Sequence, residues 1–172
     1  MYPRAKRFAL MMIFIVMTLA LTGCISEQSK SETVCPFSTL TFESSVDDMI
    51  KTEGDSYETY DSIYQGITYT YKREYLGYPG DIKYMFDGEG KLCNISWAYT
   101  SGDAESVKEV YEAVLKDTEN IRGEGVKDDG IGNYCTMWKG EAGSVILSGV
   151  LTSDVTVMQI AYMSPEVSKQ NQ

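Results

Sequence analysis

The chain is 172 residues long and carries 15 Lys+Arg against 25 Asp+Glu, a formal net charge of −10. It contains no histidine, which removes Ser-His-Asp and Cys-His nucleophilic catalysis, His-ligated zinc and the usual general base near neutral pH. A surface this acidic is repelled by phosphate backbones, so nucleic acid is not an expected partner.

The first 24 residues set the expected address. Arg4, Lys6 and Arg7 precede an uncharged run from Phe8 to Leu21, and Leu21-Thr22-Gly23-Cys24 closes it. A basic start, a short apolar core and small residues at a boundary have the form of a secretory signal. Fourteen residues rise only about 21 Å as a helix, short of a bilayer core of about 30 Å. The rival reading is an uncleaved signal anchor, since the uncharged run extends from Phe8 to Ile25. The four closing residues resemble the lipobox of bacterial lipoproteins. That resemblance implies cleavage between Gly23 and Cys24 and a diacylglyceryl thioether on Cys24, which would hold the chain to the outer face of the cytoplasmic membrane; an outer membrane is the other address. With the three cations of the signal gone, residues 24–172 keep 12 Lys+Arg against 25 Asp+Glu, a net −13. Such a surface gains nothing from anionic lipid headgroups, so attachment is expected from acyl chains rather than from protein charge. Three other cysteines, Cys35, Cys93 and Cys135, have no C-x-x-C spacing; one bridge among them and buried free thiols are the alternatives.

Residues 25–34 are polar and read as a flexible tether spanning about 18 Å. Phe37, Leu40 and Phe42 are the first apolar anchors. Ser45-x-x-Asp48 is a capping-box variant opening a short helix with Val46, Met49 and Ile50 on one face, stopped at Gly54. In 55–66, Tyr57, Tyr60 and Tyr64 fit a helical stripe, or Tyr60, Ser62 and Tyr64 fit a strand turning at Gln65-Gly66. Ile67, Tyr69, Tyr71, Arg73 and Tyr75 then alternate with Thr68, Thr70, Lys72 and Glu74 as a half-buried strand does. Asp81–Phe86 and Lys91–Tyr99 form a hairpin. With Gly88-Glu89 as its loop, Phe86 faces Lys91, Tyr84 faces Cys93 and Ile82 faces Ile95, placing Ile82, Tyr84, Phe86, Cys93, Ile95 and Trp97 on one surface. Asn94-Ile95-Ser96 has the form of a glycosylation acceptor but lies mid-strand.

Asp103 caps the best helix, whose stripe is Val107, Val110, Tyr111, Val114, Leu115 and Thr118. Gly123–Asn133 reads as a glycine-rich acidic loop. Three strands follow, Tyr134–Lys139, Ser144–Leu151 and Val155–Met163. Loops at Glu141-Ala142 and Ser153-Asp154 set Trp138 opposite Val145, Leu147 opposite Ile160 and Leu151 opposite Thr156. One face then holds Trp138, Val145, Leu147, Leu151, Met158, Ile160 and Tyr162.

The expected fold is α+β, an antiparallel meander sheet with two helices on one face, in two α-β-β-β pseudo-repeats offset by about 64 residues. This element order over 43–163 resembles that of β-lactamase-inhibitor-protein-like and SmpA/OmlA-type envelope domains; no side-chain motif places either family's binding residues here. The expected organisation is a signal over 1–23, lipidated Cys24 and tether over 24–34, one domain over 35–163 and a disordered tail over 164–172.

For function, the sequence favours a non-enzymatic protein- or ligand-binding module. Its expected partners are the membrane, through acylated Cys24, and an envelope protein; no cofactor or metal is expected. Arg73, Tyr75 and Tyr78, with Lys72 and Glu74, are the candidate binding patch, since tyrosines with one wet end suit interfaces. The alternative is an envelope hydrolase using a carboxylate pair, Asp47/Asp48 or Asp128/Asp129. An active pair must converge on one pocket with one pKa raised, whereas adjacent helical residues diverge by about 100°.

Overall fold

A computed structural model describes residues 34–128, 134–152 and 155–170. In chain order the elements are α1 (Val46–Glu53), β1 (Glu58–Asp61), β2 (Gln65–Tyr75), β3 (Tyr78–Asp87), β4 (Leu92–Thr100), α2 (Ala104–Arg122), β5 (Val126–Lys127), β6 (Cys135–Gly140), β7 (Gly143–Leu151), β8 (Thr156–Met163) and α3 (Pro165–Gln170). The eight strands form one open antiparallel sheet in the order β1-β2-β3-β4-β8-β7-β6-β5. The fold is α+β, and each half is a helix followed by a four-strand meander; the halves join where β4 pairs with β8.

Both long helices start as their caps dictate. The Ser45 side chain accepts from the Asp48 amide while Asp48 accepts from the Ser45 amide, a complete capping box. Asp103 accepts from the amides of Glu105 and Ser106. The stripe of α2 buries Val107, Val110, Tyr111, Val114 and Thr118, and Met49 of α1 joins the same core. Cross-strand rows carry that core the width of the sheet. Tyr71, Ile82, Trp97, Ile160 and Leu147 form one row, and Tyr84, Ile95, Tyr162, Val145 and Trp138 the next. Gly80 is required beneath the first: a Cβ there would stand 2.6 Å from the Trp97 ring. The segment before α1 closes the core, burying Cys35, Phe37 and Leu40, with the Phe37 ring edge-on to Tyr75 and Tyr162.

The second-half registers are those the loop lengths require: Trp138 pairs with Val145, Leu147 with Ile160, Leu151 with Thr156. The β3–β4 hairpin differs. Its loop is Gly88-Glu89-Gly90, with the Asp87 amide donating to Lys91 O, the Gly90 amide to Asp87 O, and Gly90 at φ +80. That is a type I turn closed by a left-handed glycine, which displaces the register by one residue. A second irregularity at Met85/Phe86 displaces it again, so Tyr84 faces Ile95 and Ile82 faces Trp97. Two single steps restore the original faces. The residue between them changes side: Leu92, opposite Phe86, enters the main core, and Cys93 leaves it.

Three further expectations are corrected. Residues 164–170 are not a disordered tail. The Ser164 hydroxyl accepts from the Val167 amide, Pro165 stands at the first helical position, and Val167 packs with Cys93 and Met163. By strand alternation this small cluster, with Tyr64 and Ile146 against it, lies on the sheet face away from α1 and α2. Within 55–66, β1 ends at Asp61 and the chain reverses through Ser62–Gln65, Gln65 itself at φ 68. The β2 register then shifts between Gln65 and Thr68, so Ile67 is exposed and Thr68 buried, the reverse of simple alternation. Finally, the stretch expected as loop from Gly123 contributes β5 to the sheet; its residues 129–133 lie outside the described ones.

Candidate functional site

Arg73, Tyr75 and Tyr78 all reach carboxylates on the helices. Arg73 pairs with Glu53 at the end of α1. The Tyr75 hydroxyl donates to Asp117 Oδ2 at 2.6 Å, and that of Tyr78 to Glu109 Oε1 at 3.1 Å. Tyr84 adds a fourth tie, donating to Glu53 Oε1 at 2.6 Å. Its single proton being used, Ser38 Oγ donates to Tyr84 Oη at 2.9 Å. The Tyr71 hydroxyl reaches Gly54 O at 3.0 Å.

These bonds fasten the helical layer to the sheet and commit the polar ends that an interface would use. Tyr75 is buried and Arg73 and Tyr78 are half-exposed, so the three do not share one open surface. Burial, reinforced by Asp117 for Tyr75 and by Glu53 for Tyr84, raises both phenols above their ordinary range. Arg73 and Tyr75 share the strand face of Tyr71, which packs into the main core beneath α1 and α2.

The exposed aromatic surface lies elsewhere, at the β1 margin of the sheet. All four residues of β1 are exposed, with Tyr57, Tyr60, Ile63 and Ile67 among the exposed large side chains around it. The Ser62 amide donates to Gly66 O at 2.9 Å in the register that pairs Tyr60 with Thr68. Antiparallel bonding alternates along a strand, so Glu58 and Tyr60 turn their backbone groups toward β2, while Thr59 and Asp61 turn theirs outward. Tyr57 leans edge-on against Tyr69 and Tyr71 on one side of the sheet; Tyr60 lies under the Lys83 ammonium on the other. A cleft of about 480 Å³ adjoins the strand, lined by Asp55, Tyr57, Glu58, Thr70, Lys72 and Asp81. Within it Lys72 and Asp81 are paired at 2.7 Å, and that hydrogen bond raises the Lys72 pKa.

Of the candidate carboxylate pairs, Asp47 and Asp48 stand in the first turn of α1. Asp48 is held below the usual carboxylate range by the Ser45 amide and hydroxyl, opposite in sign to what a general acid needs. Asp129 lies outside the described residues, as do Gly23 and Cys24. In the β3–β4 turn, Asp87 accepts from the Glu89 and Lys91 amides at 2.8 and 2.9 Å, an ordinary turn brace. Asn94 is buried within β4. Cys35, Cys93 and Cys135 are free and buried; burial pushes Cys35 up to about 12 and Cys93 up to about 11, keeping both as thiols.

The fold defines a class: an α+β protein built on one open eight-stranded antiparallel sheet. No protein-family model, curated protein or solved structure matches the chain. Among the described residues, no helix is long and apolar enough to cross a membrane.

Proposed function

We propose that this chain is a non-enzymatic binding module, held by lipid on Cys24 at the outer face of the cytoplasmic membrane, that receives an extended segment of another envelope protein along β1. The observation that carries the reading is the outward-facing backbone of Thr59 and Asp61, flanked by exposed tyrosines. Donors and acceptors at strand spacing are best satisfied by another extended backbone. Asp55, Glu58 and Asp61 give that margin its charge, so the incoming segment is Lys- or Arg-bearing. The lipobox at residues 21–24 supports the tether, and a short acidic edge strand limits indiscriminate pairing.

The test is a photo-crosslinker at position 60 of the full chain in intact cells, with intact-mass analysis of the extracted protein for acyl mass on Cys24. Thr59→Pro removes an outward donor and no β1–β2 bond, so it should abolish capture of the partner without changing Tm. Undiminished capture by Thr59→Pro sinks the edge-pairing mode. Hydrolysis of an envelope glycan by the pure protein sinks the non-enzymatic reading.

A further inference from the structure

The described chain begins at Val34, whose carbonyl accepts from Arg122 Nη2 at 3.4 Å. Arg122 is the last residue of α2, and its guanidinium lies 5.2 Å from the Tyr162 ring centre, which fixes where the tether leaves the domain. Around this exit the surface changes character. Ile121 is 60% exposed and Val126 70% exposed, the latter in β5. With Met137 and Trp138 they line an open groove of about 700 Å³. The Trp138 indole N–H is used internally, donating to Gly123 O at 2.9 Å. Lys127 and Lys139 stand exposed on the same margin, in a chain that has only 15 cations altogether. Glu124 is the acidic member of the lining.

Nine residues lie between Cys24 and Val34, a length over which an unstructured chain spans about 17 Å. A tether that short holds whatever surrounds its exit close to the surface that bears its anchor, so weak apolar contacts there act at high effective concentration. Aliphatic side chains flanked by lysines suit that surface: the hydrocarbon enters the headgroup region and the long amines reach phosphate oxygens. We infer that the rim made by the last turn of α2 and the β5–β6 margin, with Ile121 and Val126 inserted and Lys127 and Lys139 on headgroup phosphates, lies flat against the phospholipid bilayer. This rests on the reading that Cys24 is lipidated. It leaves β1, at the other end of the strand order, directed away from the membrane, where an incoming segment meets it.

The experiment uses the full lipidated chain in vesicles of phosphatidylethanolamine and phosphatidylglycerol containing brominated acyl chains. Cys35, Cys93 and Cys135 are buried, so a thiol-reactive dye reports a single added exposed cysteine. Val126→Cys is compared with Ile63→Cys, whose site in the β1–β2 turn is 81% exposed. The dye at position 126 should be quenched at least three-fold more than at position 63, and Ile121→Glu should erase the difference. Equal quenching on protein that co-floats with vesicles overturns the orientation and leaves the anchor standing. Protein that does not co-float overturns the anchor, and the orientation falls with it.

Discussion

The Glu53–Arg73 pair offers the sharpest test of how the helical layer is held to the sheet. The Glu53 side chain is 7% exposed and that of Arg73 34% exposed, so the two members lose different things when parted. Arg73→Met leaves a buried carboxylate with only the Tyr84 hydroxyl. Loss of one partner from a buried pair costs about 3–5 kcal/mol, and the surviving hydrogen bond sets the expectation near 3 kcal/mol. Glu53→Gln removes the charge but keeps an acceptor for Tyr84, while Arg73 can turn toward water; about 1–2 kcal/mol is expected. The double variant should cost about 1–2 kcal/mol less than the sum of the singles, because the orphaned charge is gone. Urea unfolding followed by tryptophan emission reads this directly, since an m-value of about 1–3 kcal/mol/M turns 3 kcal/mol into a midpoint change of about 1–3 M. A loss below about 0.5 kcal/mol for Arg73→Met, or a larger loss for Glu53→Gln, would refute the reasoning.

Four other outcomes are expected. Gly80→Ala places a Cβ 2.5 Å from Ala98 O and 2.6 Å from the Trp97 ring, so it should cost about 1–3 kcal/mol, whereas Gly102→Ala, with nothing within 4 Å, should leave Tm within error. Leu92→Ala should cost about 2–5 kcal/mol and Cys93→Ala clearly less; the reverse order in urea would contradict the double register step that puts Leu92 in the core. Burial raises Tyr71 and Tyr162 to about 12, against about 10 in an unfolded chain, so the stability they contribute is complete below pH 10 and is lost as pH rises through 12. Urea midpoints and tyrosinate absorbance should therefore change together in that window. Disulfide-reagent titration should find no reactive thiol in the native domain and three after unfolding; a fourth marks an unmodified Cys24.

Much of the fold was legible because local rules and the global arrangement agree. The capping residues of α1 and α2, the α2 stripe and the tight β6–β7–β8 registers each follow from contacts within a few residues. The departures have equally local causes of another kind. Gly90 in the left-handed region lengthened the β3–β4 loop by one residue, and the compensating step then exchanged Leu92 for Cys93. The Ser164-Pro165 start of α3 is a capping signal that a short polar tail obscures. For the site, tyrosine content was legible but tyrosine duty was not: Tyr75 and Tyr57 look alike in sequence, and one is spent on Asp117 while the other stands at an open margin.

The sequence alone determined the charge balance, the absence of histidine chemistry, the helix starts and the alternation that assigns side chains to faces, because each depends on residue type and short-range spacing. Only the tertiary structure decided which strand ends the sheet, which carboxylates the phenols meet and where the chain enters the domain beside Arg122. Those facts join residues 31 to 88 positions apart, and no spacing along the chain encodes a distance across the sheet.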